Sequence, residues 1–270
     1  MEDLTDLIAD WPVGTAAVGV TSPDGTLATG GDPAWRNRIA SVAKLFVGFA
    51  ALVALEEESV SLEEPAGPEG ATVNHLLAHT SGLNFDSHDV VAAPGRRRIY
   101  SNTGIEVFVD HLTERTGMDF SEYLEAGVLD PLGLEQTSLE GSPAHDVTSS
   151  VDDLLAFARE LLAPTLVSPA TLAEATRVHF PEVSGVLPGI GSFDPNPWGL
   201  TFEIKADKAP HWTASANSPQ TFGHFGGSGS FLWVDPEAGL GVVALADRDF
   251  DAWALEAWPR FSDAVLERFG

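Results

Sequence analysis

Residues 39–58 read IASVAKLFVGFAALVALEEE, and the reading of the whole chain turns on them. From Leu45 to Leu55 the run is apolar on almost every side, which predicts a helix buried all round. Glutamates 56–58 end it at the surface, and Ser41 stands at or near its start. The chain has only three lysines, Lys44, Lys205 and Lys208, and the first falls in this apolar stretch. A buried lysine is unfavourable unless its charge or its amine is used. Positions three apart on a helix lie about 60° apart round the axis, so Ser41 and Lys44 can meet.

That pairing has a chemical use. A serine hydroxyl is a weak nucleophile until a base removes its proton. Burial and the positive end of a helix both disfavour an ammonium, and so can make a lysine into such a base. The same helix end points free N–H groups at any oxyanion formed beside Ser41. The spacing alone is not decisive. Twenty serines and three lysines in 270 residues give about 0.2 S-x-x-K matches by chance, so the motif needs context.

Outward from this helix, the flanks differ in character. TAAVGVTSPDGTLATG, residues 15–30, reads as a β-hairpin around Pro23-Asp24-Gly25. Residues 59 to about 180 read as helical segments separated by Pro and Gly, with Ser150 and Asp153 as a capping pair for one of them. Strand signals return in WGLTFEIK, SGSFLWVDP and LGVVALADR, and the chain closes on an amphipathic helix from Asp251. The expected architecture is α/β of the α+β kind. An antiparallel sheet is flanked by helices, with residues 1–58 and 185–270 forming one lobe and residues 59–184 an inserted helical lobe.

Composition excludes several classes of function. The formal net charge is −26, from 40 acidic and 14 basic residues, and such a surface repels nucleic-acid backbones and anionic lipid. No cysteine is present, so neither a disulfide framework nor a thiolate metal site is expected. The run Leu45–Leu55 is about half the length of a membrane span. MEDLTDLIADWPVG is acidic and lacks the pattern of a signal peptide, which points to the cytoplasm. His75 and His79 are four apart, but Leu76 follows His75, so the zinc-protease motif H-E-x-x-H is absent. G-x-S-x-G and nucleotide-binding glycine motifs are absent too, so no metal or cofactor is expected. Arg96–Arg98 form the only basic cluster, read as a solvated loop, and Asp152 and Asp153 read as a helix start.

The context for S-x-x-K comes from two further stretches. GRRRIYSNTG places Tyr100, Ser101 and Asn102 at the front of a helix, and FGHFGGSGSFLWVDP places His224, Phe225, Gly226 and Gly227 where a strand is about to start. In order, S-V-A-K, Y-S-N and H-F-G resemble the three motifs of the serine β-lactamase and penicillin-binding-protein superfamily. LLAHTSGL at 76–83 and the closing GHFGGSGSFLWVDPEAGLGVVAL also resemble its wording. The likeness is nearer to the class C branch, with its family VIII esterases and D-aminopeptidases, and covers about residues 14–269.

The resemblance implies a β-lactamase/transpeptidase-like fold and a covalent acyl-enzyme. It makes Ser41 the nucleophile and has Lys44 share its proton and hold Tyr100, the general base and acid. It has Asn102 contact Lys44 and a substrate carbonyl or amide, and puts His224 at the site wall. Backbone N–H groups of Ser41 and Gly227 form the implied oxyanion hole, with Phe225 and Gly226 beside the substrate. A tyrosine next to an ammonium is expected to have a lowered pKa.

The third motif departs from the family. It has neither lysine nor threonine, and Phe225 replaces the small hydroxyl residue that helps bind a β-lactam carboxylate. A neutral His224 weakens an anion subsite further. Small esters are therefore the expected substrates, with β-lactamase, D-aminopeptidase and D,D-carboxypeptidase activity as the alternatives. Trp198, Trp212, Phe222 and Phe225 are candidates for an apolar pocket, Trp198 more for the core. The rival from another class is a non-catalytic homologue that binds a ligand, which has no need for all of Ser41, Lys44, Tyr100 and Asn102. The oligomeric state is not fixed by these observations.

Overall fold

In the computed structural model, which describes residues 2–270, consecutive residues of Ser230–Asp235 and Leu240–Ala246 are all buried yet face opposite ways. Leu232, Val234, Val243 and Leu245 belong to one apolar core. Phe231, Trp233, Val242 and Ala244 belong to another, on the far side. Helices must therefore cover both faces of the sheet, and they do.

The main sheet has seven strands: β1 (Glu2–Asp3), β2 (Ala16–Ser22), β3 (Gly25–Gly30), β4 (Glu203–Ile204), β5 (Phe222–Gly226), β6 (Ser230–Asp235) and β7 (Leu240–Ala246). Their order is β1-β3-β2-β7-β6-β5-β4. All neighbours are antiparallel except β1 beside β3. The β2–β7 pairing, from Gly241 opposite Thr21 to Ala246 opposite Ala16, joins the two ends of the chain. Everything between β3 and β4 leaves the sheet on one side of that seam and returns at the opposite edge.

Four long helices matter for the site: α1 (Ala43–Glu56), α2 (Asn102–Thr116), α3 (Val151–Leu162) and α4 (Ala252–Phe269). As its sequence requires, α1 is buried on nearly every side. Trp253, Trp258, Phe261 and Val265 of α4 fill the core on the outer face of the sheet. On the inner face α3 lies so close that a Cβ on Gly19 would sit 2.5 Å from Leu155 Cδ1. Although α3 falls within residues 59–184, it thus packs on the sheet. The division into two lobes at 58 and 185 stands as a proposal in which α3 is shared between them. Ser150 caps α3, its Oγ accepting from Asp153 N at 3.2 Å, and Asp152 and Asp153 form its first turn.

Two expected elements changed. WGLTFEIK yields only Glu203–Ile204 as strand, because Thr201 has a left-handed φ of 68° and Leu200–Thr201 press onto α1. The approach is so tight that a Cβ on Gly48 would sit 2.0 Å from Thr201 Oγ1. The second change is at His224, which lies within β5, opposite Leu232 of β6, rather than ahead of a strand.

Candidate active site

Ser41 lies in a short 3-10 turn, Ala40–Val42, that leads into α1. The segment leading into the turn is bolted to the end of β5, the start of β6 and the turn between them. Ser230 Oγ donates to the Ile39 carbonyl and Ser228 Oγ to the Arg38 carbonyl, each at 2.7 Å. A Cβ on Gly226 would lie 2.2 Å from the Ile39 oxygen. Gly226 therefore owes its lack of a side chain to this backbone approach; it does not line the cleft around Ser41. Ala40 has a left-handed φ of 44°, a strained conformation immediately before the serine.

Lys44 is fully buried, and its Nζ reaches three acceptors: Ser41 Oγ at 3.1 Å, Asn102 Oδ1 at 2.7 Å and the Ala144 carbonyl at 2.8 Å. Burial pushes its pKa down to about 7, against the opposing pull of Asp86 and Glu106. Near neutral pH much of the amine is therefore unprotonated and within reach of the serine proton.

Tyr100 corrects one expectation. Its ring centroid is 4.8 Å from Lys44 Nζ, yet its pKa is raised. Desolvation of the buried hydroxyl outweighs everything else, and Asp86 adds to the rise. Ser41 is close enough to oppose this, but the hydroxyl makes no hydrogen bond of good geometry. Tyr100 is thus a buried phenol that keeps its proton.

Asn102 begins α2 and presents its Oδ1 to Lys44, while its Nδ2 donates to Asp86 Oδ1 at 2.7 Å. The loop around Asp86 is fastened to the Tyr100–Asn102 motif at each residue. The Phe85 ring stacks 5.9 Å from that of Tyr100, Ser101 Oγ donates to Asn84 O at 2.6 Å, and Asn102 N donates to Phe85 O at 2.8 Å. Asp86 escaped the sequence reading, since it lies in a loop without a motif.

His224 Nδ1 lies 2.6 Å from the Phe225 carbonyl, so this nitrogen carries the proton and Nε2 offers a lone pair. That Nε2 is buried without a partner. Burial, with Lys44 nearby, pushes the pKa down to about 3, so the ring is neutral at any working pH. Ser41, Tyr100, His224, Phe225 and Gly227 all line one cleft of about 220 Å³, closed by Phe85, Leu187, Pro188, Gly189 and Phe250. Of the aromatic candidates only Phe225 lines it. Trp198 is a core residue whose ring packs 5.5 Å from His224 and 5.8 Å from Tyr100. No signal in the sequence set Phe85 or Phe250 apart from other phenylalanines.

One neighbouring group also departs from expectation. Arg98 is not part of a solvated loop: it is buried, and its guanidinium donates to the carbonyls of Ala78, Asn196, His179 and Phe180. Burial pushes its pKa down to about 9. His79 grips the strip before α2 from both sides: Ile99 N donates to its carbonyl at 2.8 Å and Ser101 N to its Nδ1 at 3.3 Å. His75 caps a short helix with its Nδ1 close to Thr72. A second buried lysine, Lys208, pairs with buried Glu203, whose other oxygen lies 2.8 Å from His211 Nε2.

Among the described residues no helix is long and apolar enough to cross a membrane.

Known proteins share both sequence and shape with this chain. The family model described as Beta-lactamase matches residues 12–266. A crystal structure of a β-lactamase from Mycobacterium bovis is 50% identical, covers 98% of each chain and superposes with a TM-score of 0.96. A curated β-lactamase of Escherichia coli is 22% identical over 78% of this chain and 75% of its own length. Simvastatin synthase from Aspergillus terreus is similar in fold, with a TM-score of 0.82 at 16% identity over 98% of this chain and 96% of its own. With its ordered motifs folded into one cleft and this match spanning nearly all residues, the chain belongs to the Beta-lactamase family and is a serine hydrolase of the β-lactamase/transpeptidase-like fold.

Proposed function

We propose that the chain hydrolyses small carboxylic esters through an acyl-enzyme on Ser41. The observation that carries this reading is the 3.1 Å contact between Ser41 Oγ and a buried Lys44 amine whose pKa lies near 7. In acylation the neutral Lys44 takes the Ser41 proton as Oγ attacks the ester carbonyl. Backbone N–H groups of Ser41 and Gly227 are assigned to the oxyanion; such a donor contributes about 3–4 kcal/mol to a transition state. The Tyr100 phenol, holding its proton, protonates the departing alkoxide and is recharged from the Lys44 ammonium. Water then attacks the acyl-enzyme by the same steps in reverse.

Esters are favoured over β-lactams by the cleft wall. A neutral His224 and the Phe225 ring give a substrate carboxylate no counter-charge. The second reading is a β-lactamase, favoured by the 50% identity to the Mycobacterium bovis protein of that name. Ethyl acetate, p-nitrophenyl acetate, nitrocefin and a D-amino-acid amide assayed in parallel decide between them. Turnover confined to the esters supports the proposal, and turnover of nitrocefin alone sinks it. Ser41→Ala should abolish ester turnover while leaving the circular dichroism spectrum unchanged. A fluorophosphonate that labels Ser41 excludes a purely binding homologue.

A further inference from the structure

A second groove opens from the catalytic cleft. Its volume is about 430 Å³, and it shares Phe85, Tyr100 and Pro188 with the cleft. Val91, Arg97, Arg98, Ile99 and Val186 complete its lining. The hairpin carrying Val186 and Pro188 leans on the 97–100 strip: Arg98 N donates to Ser184 O at 2.9 Å, and a Cβ on Gly185 would lie 2.4 Å from the Arg98 oxygen.

The lining is unusual for this surface. Six large hydrophobic side chains in the described residues are more than a third exposed, and three of them, Phe85, Val91 and Val186, line this one groove. Exposed apolar side chains that cluster beside a site mark a place where a ligand buries them. The cleft of about 220 Å³ is smaller than the ~300–1,000 Å³ typical of small-molecule sites, and the groove supplies what it lacks. At the rim Arg97 is exposed and makes no hydrogen bond or ion pair with any described residue, in a chain with 40 acidic side chains to choose from. Its neighbour Arg98 is occupied by backbone carbonyls, so Arg97 is the cation available there.

We propose that this groove holds the alcohol half of the substrate, a linear apolar chain of medium length that ends in a carboxylate at Arg97. The inference rests on the ester reading above. The alcohol half is assigned because the groove continues from Tyr100, the proton donor to the leaving oxygen, and a leaving group departs on the side of its donor. The preferred substrates are then short-acyl esters of ω-hydroxy fatty acids. In the reaction the Ser41 Oγ–carbonyl bond forms, the carbonyl–alkoxide bond breaks, and the alkoxide takes the Tyr100 proton. Water later releases the short acid from Ser41.

The test compares ethyl acetate, octyl acetate and 8-acetoxyoctanoate by acetate release. Octyl acetate should exceed ethyl acetate in kcat/KM at least about tenfold, since each buried methylene contributes up to ~0.8 kcal/mol. The terminal carboxylate should add a further two- to fivefold at low salt, as an exposed ion pair does. That second preference should fade in 1 M NaCl, vanish in Arg97→Gln and reverse in Arg97→Glu. Val91→Asp should lower the octyl-to-ethyl ratio. Equal kcat/KM for the ethyl and octyl esters, or ratios indifferent to both substitutions, would overturn the groove assignment while leaving the ester reading intact. If none of the three is hydrolysed, calorimetric binding of 8-hydroxyoctanoate to the unmodified protein decides. Binding weakened by Arg97→Glu upholds the groove without the esterase, and no binding overturns it.

Discussion

Asp86 Oδ1 accepts a hydrogen bond from Asn102 Nδ2 at 2.7 Å, and this bond turns Asn102 Oδ1 toward Lys44 Nζ, also at 2.7 Å. An amide has one donor end and one acceptor end, so the carboxylate on one side fixes what the amine meets on the other. Asp86 also favours the charged form of Lys44 from a distance. A loop residue thereby fixes the lysine's partner and raises its proton affinity against the larger effect of burial.

Removing that carboxylate should therefore have two effects. In Asp86→Ala, Asn102 loses its anchor and kcat/KM for p-nitrophenyl acetate should fall about tenfold. The Lys44 ammonium also loses an opposite charge, so the midpoint of the pH–rate profile should move to lower pH. A midpoint that moves upward would contradict the electrostatic role.

The profile of the unmodified protein follows from the same lysine. Folding lowers the Lys44 pKa to about 7, so the amine is protonated below that pH and free above it. kcat/KM for a neutral ester should fall about tenfold per unit below pH 7 and level off above it. Initial rates from pH 5 to 9 check this. A limb rising without a plateau up to pH 9 would show that Lys44 remains charged.

Tyr100→Phe separates a proton donor from a base. Loss of the hydroxyl should slow acylation by about 10²- to 10⁴-fold. The midpoint near pH 7 should stay in place, because it belongs to Lys44. Initial rates of acetate release from ethyl acetate, whose alkoxide needs a proton to leave, read both quantities. Disappearance of the midpoint in this variant would return the role of base to the tyrosine.

Arg98→Ala should unfold more easily by about 3–5 kcal/mol in urea, since it leaves several buried carbonyls without a donor. Arg98→Lys should recover only part of this, because a single ammonium does not span carbonyls from residues 78, 179 and 196. Equal stability of all three proteins would make the guanidinium a passenger.

Which of these features were legible in the sequence follows from the range of the physics involved. Ser41 and Lys44 are legible because three residues on a helix set their meeting, and helix geometry is local. The antiparallel strands β6 and β7 are legible for the same reason, through alternation and the turn between them. Tyr100 was recognisable as a motif residue, but its proton affinity was not. The nearby lysine suggested a lowered pKa, whereas the dominant influence is burial under side chains distant in sequence. Arg98 stands in a run of three arginines that looks like a surface cluster. Only folding brings the carbonyls of residues 78, 179 and 196 round it. Asp86 is 16 residues from Asn102, with no periodicity linking them. Helix α3 shows an amphipathic pattern, but the pattern does not say which surface its apolar side meets.

The burial of two of the three lysines has a practical corollary. Lys44 and Lys208 are closed off from solvent, whereas Lys205 is only partly covered and lines a cavity separate from that of Ser41. Amine-directed coupling chemistry thus finds one reachable side chain, remote from the cleft. Among side-chain amines, a dye, a polymer or a solid support can therefore be attached at one defined point, with the terminal α-amine as the competing site.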